Sequence, residues 1–280
     1  MAIPPFGSED RPERLQQRRR LKTLPVRSII PNSLTVMALC AGLTAMRFGL
    51  DGKFDMAVGA IIVAAVLDGL DGRVARMLKG TTRFGAELDS LSDFLCFGVA
   101  PVMLLYLWSL NTLGGLGWIV VLGFAVCCAL RLARFNVAIE DPDKPAWTAN
   151  FFVGVPSPAA AGLVMLPLYM SFLGVSFLQD LPLLLAAYVG GIAFLMVSKI
   201  PTFSGKRLGF RIRRDEMLPV LLGVAMSVAL LFNYPWISFC ALVVAYLALL
   251  PVSIWRYQYH QARTRAAADR EDELLTDPND

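Results

Sequence analysis

The strongest constraint on this chain is a series of eight apolar blocks, each about 20 residues long and almost free of charge. An α-helix of that length crosses a hydrocarbon layer about 30 Å thick. The blocks lie near residues 30–50, 54–76, 86–110, 114–136, 152–175, 181–199, 217–233 and 235–255. They take up more than half of the 280 residues, and 56% of all residues are hydrophobic. The sequence therefore predicts an all-α, polytopic integral membrane bundle of about eight transmembrane helices.

The basic residues alternate between the connections of this scheme. Of the 26 lysines and arginines, 24 lie before the first span, after the last span, or around the second, fourth and sixth connections. Basic residues accumulate on the cytoplasmic side of membrane proteins, so both termini are predicted to be cytoplasmic. We expect residues 1–28 to form a basic, interfacial cytoplasmic segment rather than a signal peptide. Residues 29–255 form the predicted transmembrane catalytic domain, and residues 256–280 a polar cytoplasmic tail.

Cysteine and histidine exclude several chemistries. All five cysteines fall inside apolar blocks without the paired spacing of a metal site, so we interpret them as small buried side chains. The single histidine, His260, lies in the polar tail. Mechanisms that need Ser-His or Cys-His pairs, or several histidines on zinc, therefore lack their parts. Any chemistry must depend on carboxylates.

Four aspartates stand at the cytoplasmic ends of the second and third spans: Asp68, Asp71, Asp89 and Asp93. A carboxylate at membrane depth costs several kcal/mol unless it is paired or coordinated, so such residues indicate a functional site. At 100° per residue, Asp68 and Asp71 share one helix face, and Asp89 and Asp93 share another. Salt bridges to neighbouring arginines explain one or two of these residues, but not four.

The spacing also predicts that the four aspartates meet. A turn over residues 77–84 makes the two spans antiparallel about residue 80, which is the midpoint between Asp71 and Asp89. The midpoint between Asp68 and Asp93 is 80.5, so each pair lies at one depth. Four carboxylates carry a charge that two divalent cations cancel, and oxygen ligands favour Mg²⁺ or Mn²⁺.

Three small residues lie near these aspartates. Gly72, Ala75 and Gly85 allow two interpretations, which the sequence leaves open. They let membrane helices approach closely, as small residues at four-residue spacing do. Alternatively, they leave room for a nucleotide against the backbone.

The run Asp68-x2-Asp71-Gly72-x2-Ala75-Arg76-x8-Gly85-x3-Asp89-x3-Asp93 resembles, at every position, the signature of the CDP-alcohol phosphotransferase family. The resemblance implies a helical membrane fold, usually dimeric. Its six-helix core would bind a CDP-linked donor and two Mg²⁺ or Mn²⁺ ions in a cavity facing the cytoplasm. The predicted count of eight spans corresponds to members with two additional C-terminal helices.

The same resemblance implies roles for individual residues. Asp68, Asp71, Asp89 and Asp93 would lie at the metals, with Asp93 also acting as general base. The segment IPNSLT at the start of the first span resembles a second motif of the family. The implied donor-binding residues are Pro31, Asn32, Thr35, Gly72, Ala75, Arg76, Thr82 and Gly85.

Four further segments resemble the bacterial membrane-type phosphatidylserine synthases within this family: FGVAP at 97–101, RLARFN at 131–136, GVPSPAAA at 154–161 and VSKIPTFSGK at 197–206. This likeness implies CDP-diacylglycerol as donor, L-serine as acceptor and a site on the cytoplasmic face of the bacterial inner membrane. The predicted acceptor contacts are Arg131, Arg134, Asn136, Ser157, Lys199 and Ser204. The cations among them bind a carboxylate in this interpretation, or they only set topology.

The sequence is also compatible with two alternative functions. A member of the same family with another acceptor would use choline, glycerol 3-phosphate or an inositol compound. A cation transporter also carries intramembrane carboxylates. The expected partners are the two substrates, membrane lipids and a second copy of the chain, with no nucleic acid.

Overall fold

The structure is a computed structural model that describes residues 26–139, 151–198, 201–203, 217–249 and 251. Ten α-helices occur in this part of the chain: α1 Val26–Leu50, α2 Phe54–Met77, α3 Arg83–Asp93, α4 Ala100–Trp108, α5 Gly115–Ile139, α6 Ser157–Val164, α7 Leu166–Phe172, α8 Pro182–Val197, α9 Met217–Asn233 and α10 Pro235–Leu249. A π-helical segment, Phe94–Val99, joins α3 to α4, and a 3₁₀ turn, Leu110–Leu113, precedes α5. Lys199, Ser204, residues 1–25 and residues 252–280 lie outside the described residues.

The predicted helical fold class is confirmed, with one addition. Two three-residue strands, β1 Phe151–Val153 and β2 Pro201–Phe203, pair antiparallel, with Phe151 opposite Phe203. Three stretches are long and apolar enough to cross a membrane: Arg27–Leu50, Arg83–Trp108 and Gly115–Val137. Helices α8, α9 and α10 are apolar but shorter. The chain is therefore a helical membrane protein.

Helix α1 is the element that organises the site. It packs along most of α2 and also contacts α3, the π-helical segment and α4. Small residues allow this approach, because a Cβ atom at Gly42 would come 2.7 Å from Cys96 Sγ, and one at Gly49 would collide with Leu104. Ala45, between them, is fully buried. Because α1 contacts both α2 and α3, it holds the two aspartate-bearing helices together.

The fifth predicted span is wrong as a single helix over residues 152–175. Residues 151–153 form β1, and the helical part is divided into α6 and α7 at Met165. Pro167 is the physical reason, because it has no N–H to donate to the carbonyl of Leu163 four residues earlier. The hydroxyl of Tyr188 in α8 donates to that carbonyl instead, at 2.6 Å.

The two C-terminal helices differ in how they meet the core. Helix α10 packs against it through aromatic rings, with Trp236 4.5 Å from Phe172 and 6.4 Å from Tyr169 between ring centroids. Helix α9 has no buried residue in the described part of the chain. Its large apolar side chains face outward, as expected for a helix surrounded by lipid.

Candidate active site

The turn between α2 and α3 brings the aspartates together. Helix α2 ends in a hydrogen-bonded C-terminal turn, in which Gly80 N donates to Ala75 O at 3.0 Å and Lys79 takes a positive φ of 50°. Helix α3 begins after Thr82, whose hydroxyl accepts from Gly85 N at 3.0 Å as an N-cap. The reversal therefore occupies residues 78–82, within the predicted 77–84.

Glycine is required at position 80 by the start of α1. Pro31 has no N–H for the carbonyl of Arg27, so that carbonyl is left without its usual helical donor. A Cβ atom at Gly80 would lie 2.5 Å from the same oxygen. The turn thus packs directly on the first turns of α1, and Pro31 and Asn32 are brought next to it.

Three carboxylates form a compact cluster. One oxygen each of Asp68, Asp71 and Asp89 lies within 4.8 Å of the other two. Asp71 is buried, whereas Asp68 and Asp89 are partly exposed. The carboxyl groups of Asp68 and Asp93 lie next to each other and interact electrostatically. This proximity agrees with the predicted pairing of Asp68 with Asp93 about residue 80.

The cluster fits divalent cations. In octahedral coordination at about 2.1 Å, oxygens on opposite sides of Mg²⁺ are about 4.2 Å apart, close to the spread of these three oxygens. Asp93 Oδ1 is also buried and has no hydrogen-bond partner among the described residues. Hard carboxylate oxygens are the ligands that Mg²⁺ and Mn²⁺ prefer. The donor set therefore matches a hard divalent ion.

Arginine salt bridges do not account for the cluster. The charged groups that act on the four aspartates in the described structure are the aspartates themselves and, at Asp93, Arg131. Arg76 instead donates from Nε to the carbonyl of Gly72 in its own helix, at 2.9 Å. The negative charge of the cluster is thus left for cations from outside the chain.

A cavity of about 180 Å³ adjoins this cluster. It lies among α1, α2, the turn and α3. Seven of the eight predicted donor-binding residues line it: Pro31, Asn32, Thr35, Gly72, Ala75, Thr82 and Gly85. Asp71 and Asp89 also line it, so cavity and carboxylates form one site. Arg76, the eighth residue, is exposed beside Gly72 at the edge.

The two glycines of the signature do different things. A Cβ atom at Gly85 would lie 2.7 Å from Asn32 Oδ1 and 3.1 Å from Thr82 Oγ1, so Gly85 permits close packing of α3 on α1. A Cβ atom at Gly72 would meet nothing within 4 Å. Because Gly72 lines the cavity, its missing side chain leaves space there. The close-packing interpretation therefore applies to Gly85, whereas Gly72 leaves space in the cavity.

A second polar group lies beside Asp93. Arg131 is 8% exposed, and its NH1 donates to the hydroxyl of fully buried Ser157 at 2.8 Å. Its Nε is buried without a hydrogen-bond partner among the described residues. Arg131 also interacts electrostatically with Asp93. Two of the predicted acceptor contacts, Arg131 and Ser157, are thus brought together next to Asp93.

The other described acceptor candidates are placed differently. Arg134 NH1 donates to the carbonyl of Val197 at 2.8 Å, which ties the end of α5 to the end of α8. Asn136 Nδ2 donates to Ser90 Oγ at 2.9 Å, which ties α5 to α3. Neither side chain is brought to the Arg131–Ser157 pair by these contacts.

Several residues of this site are not among the predicted site residues. Gly80, Thr81 and Ala86 also line the cavity. Ala86 lies three residues before Asp89 and therefore on the same helix face, a signal that helical spacing contains. Cys128 donates to Ser157 Oγ at 3.5 Å, a contact between distant parts of the chain that no local pattern indicates.

Comparison with known families identifies the chain. The sequence profile described as CDP-alcohol phosphatidyltransferase matches residues 28–201, and a second profile, CDP-alcohol phosphatidyltransferase 2, matches residues 217–251. The chain belongs to the CDP-alcohol phosphatidyltransferase family. The family resemblance drawn from the aspartate signature is confirmed, and the first match runs from within α1 to the first residue of β2.

Three similar proteins from bacteria share the same name. A protein from Mycobacterium leprae is 37% identical over 244 residues, which cover 86% of this chain and 80% of the relative. One from Mycobacterium tuberculosis is 39% identical over 228 residues, 81% of this chain and 78% of the relative. One from Bacillus subtilis is 37% identical over 171 residues, 61% of this chain and 88% of the relative. Each is named CDP-diacylglycerol–serine O-phosphatidyltransferase.

Proposed function

We propose that this family member transfers the phosphatidyl group of CDP-diacylglycerol to the hydroxyl of L-serine, giving phosphatidylserine and CMP. The family membership and the name shared by its relatives support the reaction. The observation that carries the site is the cluster of Asp68, Asp71 and Asp89 at the wall of a cavity. A nucleotide diphosphate needs such a combination of metal ligands and space.

The donor occupies the cavity among α1, α2, α3 and their turn in this proposal. Asn32 and Thr82 offer polar atoms to the cytidine and diphosphate, and Gly72 and Ala75 leave room for them. Arg76 is exposed at the edge, where its guanidinium can contact the diphosphate after releasing the Gly72 carbonyl. The acyl chains remain in the bilayer.

Two Mg²⁺ or Mn²⁺ ions, when bound, supply the positive charge that neutralises the diphosphate and the departing CMP. Asp68, Asp71 and Asp89 would hold them, with Asp93 adjacent. The distances between these carboxylate oxygens and the resulting match to a hard ion support the assignment.

Asp93 acts as the general base in this proposal. Its carboxylate takes the proton of the serine hydroxyl, and the oxygen attacks the phosphorus that carries diacylglycerol. The new P–O bond forms as the bond from that phosphorus to the CMP phosphate oxygen breaks. CMP leaves with the electron pair, and the proton remains on Asp93. The buried, unpartnered Oδ1 of Asp93 supports this role.

The acceptor carboxylate would bind Arg131. The Nε atom of Arg131 is buried and lacks a partner among the described residues, and Ser157 holds the other side of the guanidinium. A bound anion would satisfy that nitrogen, which is costly to leave unpaired. Arg134, Asn136, Lys199 and Ser204 complete the set of proposed acceptor contacts. Choline, which has no anionic group, gives Arg131 no such partner.

The membrane arrangement is also proposed. The eight apolar blocks support eight crossings, and the alternation of basic residues supports cytoplasmic termini and a site facing the cytoplasm. The location would be the bacterial inner membrane, with residues 1–28 on its cytoplasmic surface. A homodimer is proposed from the family resemblance. Cysteine labelling of single sites from each side of sealed vesicles tests the topology, and cross-linking in membranes tests the dimer.

A cation transporter is the alternative from another class. Transporters bind ions near the bilayer midplane. Here Asp71 lies six residues before the end of α2, about 9 Å along the helix, and the cluster opens into a cavity at the turn. This position favours a site that receives substrate from the cytoplasmic side.

The test is release of CMP from CDP-diacylglycerol by membranes that contain the full chain, with Mn²⁺ or Mg²⁺ and separate acceptors. We expect release with L-serine and little with choline, glycerol 3-phosphate or inositol. Asp93→Asn should abolish turnover while it leaves much of donor binding intact. Asp55→Asn, an exposed aspartate in the first turn of α2, is the matched control and should retain activity. Release only with another acceptor would overturn the proposed substrate.

A further inference from the structure

The hydroxyl of Thr35 lies between two acceptors. Its Oγ1 is 2.5 Å from Asp71 Oδ2 and 3.1 Å from the carbonyl oxygen of Pro31. A hydroxyl has one proton, and the nearer, ionisable acceptor receives it. Thr35 and Asp71 are each 4% exposed, so little water reaches this bond. The shorter contact therefore joins α1 directly to a carboxylate of the cluster.

This contact is not the ordinary behaviour of a hydroxyl in a helix. Ser33 and Thr44, also in α1, donate to the carbonyls four residues earlier, at 2.9 Å and 2.7 Å. Both side chains are exposed. Such back-bonds satisfy the hydroxyl within the helix and position nothing else. Thr35 has the same backbone option and, in addition, reaches α2.

The backbone of Thr35 makes a contact to the other aspartate helix. Its carbonyl accepts from Ser92 Oγ at 3.4 Å, and Ser92 is 2% exposed. Ser92 lies in α3 between Asp89 and Asp93. Thr35 is therefore bonded to α2 through its side chain and to α3 through its carbonyl, at the depth of the carboxylates.

We propose that Thr35 is a positioning residue for the metal site, which acts by holding the Asp71 carboxylate next to those of Asp68 and Asp89. The family resemblance implies a different role for it, as a contact to the nucleotide. The inference rests on the proposed function in one respect, namely that Asp71 is a metal ligand. Partners that orient a ligating carboxylate change metal affinity by about 10- to 100-fold when they are removed.

The experiment measures Mn²⁺ binding to the purified full chain in detergent, by the loss of the electron paramagnetic resonance signal of free Mn²⁺, without donor or acceptor. Thr35→Val keeps the shape of the side chain and removes the donor, so we expect Mn²⁺ affinity to fall by about 10- to 100-fold. Thr35→Ser keeps the hydroxyl, so its Mn²⁺ affinity should be close to that of the unmodified chain. Thr44→Val is the matched control on the same helix and should bind Mn²⁺ as the unmodified chain does.

A second comparison separates positioning from general damage to the fold. In an Asp71→Asn background, Thr35→Val should cause little further loss of Mn²⁺ affinity, because the two residues act through one contact. Full additivity would overturn the proposal. If Thr35→Val does not fold, Thr35→Ala replaces it in both titrations. It retains high helix propensity, and unchanged affinity in that variant likewise overturns the proposal.

The Mn²⁺ titrations and the serine assay test the two proposals separately. Unchanged Mn²⁺ affinity in Thr35→Val, with serine-dependent CMP release intact in the unmodified chain, overturns this inference alone. Weakened Mn²⁺ affinity in Thr35→Val, with no serine-dependent release in the unmodified chain, supports the positioning role and overturns the substrate assignment alone.

Discussion

Replacing Gly72 with alanine tests whether the cavity beside the carboxylates receives the donor. The new methyl group would meet no protein atom within 4 Å, so the fold accommodates it. Alanine in place of glycine inside a helix stabilises by about 1 kcal/mol. The methyl group would take up part of the cavity of about 180 Å³ that Gly72 lines. Overfilling a packed site costs about 1–3 kcal/mol, or about 5- to 150-fold in affinity.

The assay compares the KM for CDP-diacylglycerol and the thermal unfolding of Gly72→Ala with those of the unmodified chain. We expect the donor KM to rise by about 5- to 150-fold and the unfolding temperature to stay equal or increase. Gly69→Ala is the matched control, because Gly69 lies on the same helix, with open space around its Cβ position, and does not line the cavity. It should gain stability without a change in KM.

An unchanged donor KM in Gly72→Ala would refute the assignment of this cavity to the donor. A large loss of stability in the same variant would refute the reasoning about space. Gly85→Ala should behave in the opposite way, because its Cβ atom would lie 2.7 Å from Asn32 Oδ1 and must displace that side chain. It should therefore lower the unfolding temperature.

Three further predictions concern the acceptor, the metals and the turn. Arg131→Lys should raise the KM for serine by about tenfold or more and leave the donor KM unchanged. The reason is that lysine lacks the planar guanidinium, which can contact Ser157 and the acceptor carboxylate at the same time. Equal changes in both constants would contradict this prediction. Chelation of divalent ions should abolish CMP release, and added Mn²⁺ or Mg²⁺ should restore it. Added Ca²⁺ should restore less CMP release, because Ca²⁺ prefers more ligands. Lys79→Gly should stabilise the chain in thermal unfolding by about 1 kcal/mol, because Lys79 has a φ of 50°; lower stability would show that the lysine side chain makes a compensating contact.

Helical spacing predicted much of the site because the site is local in sequence. Asp68 and Asp93 lie next to each other, as expected for two antiparallel helices about residue 80. The same spacing placed the small residues near the carboxylates, but it did not predict which of these residues packs against a neighbouring helix. Gly85 meets Asn32 of α1, and Gly72 does not meet α1, because of how α1 lies across the hairpin. Packing between distant segments decides that question.

The remaining differences also come from tertiary contacts. Hydropathy treats residues 152–175 as one apolar block, but Pro167 interrupts the helix, and Tyr188 of α8 compensates for the missing backbone donor. The π-helical segment after Asp93 has no signal in the apolar pattern. Arg134, a predicted acceptor contact, donates to the carbonyl of Val197, which is 63 residues away in sequence, and no local pattern indicates this hydrogen bond. Charge alone did not distinguish it from Arg131.

Anomalous diffraction from crystals of the Mn²⁺-loaded protein would show directly whether the aspartate cluster binds metal. We expect manganese peaks within coordination distance of the Asp68, Asp71 and Asp89 carboxylates, and loss of those peaks in Asp89→Asn. Peaks elsewhere, or carboxylates that stay hydrogen-bonded to one another without manganese at saturating concentration, would contradict it.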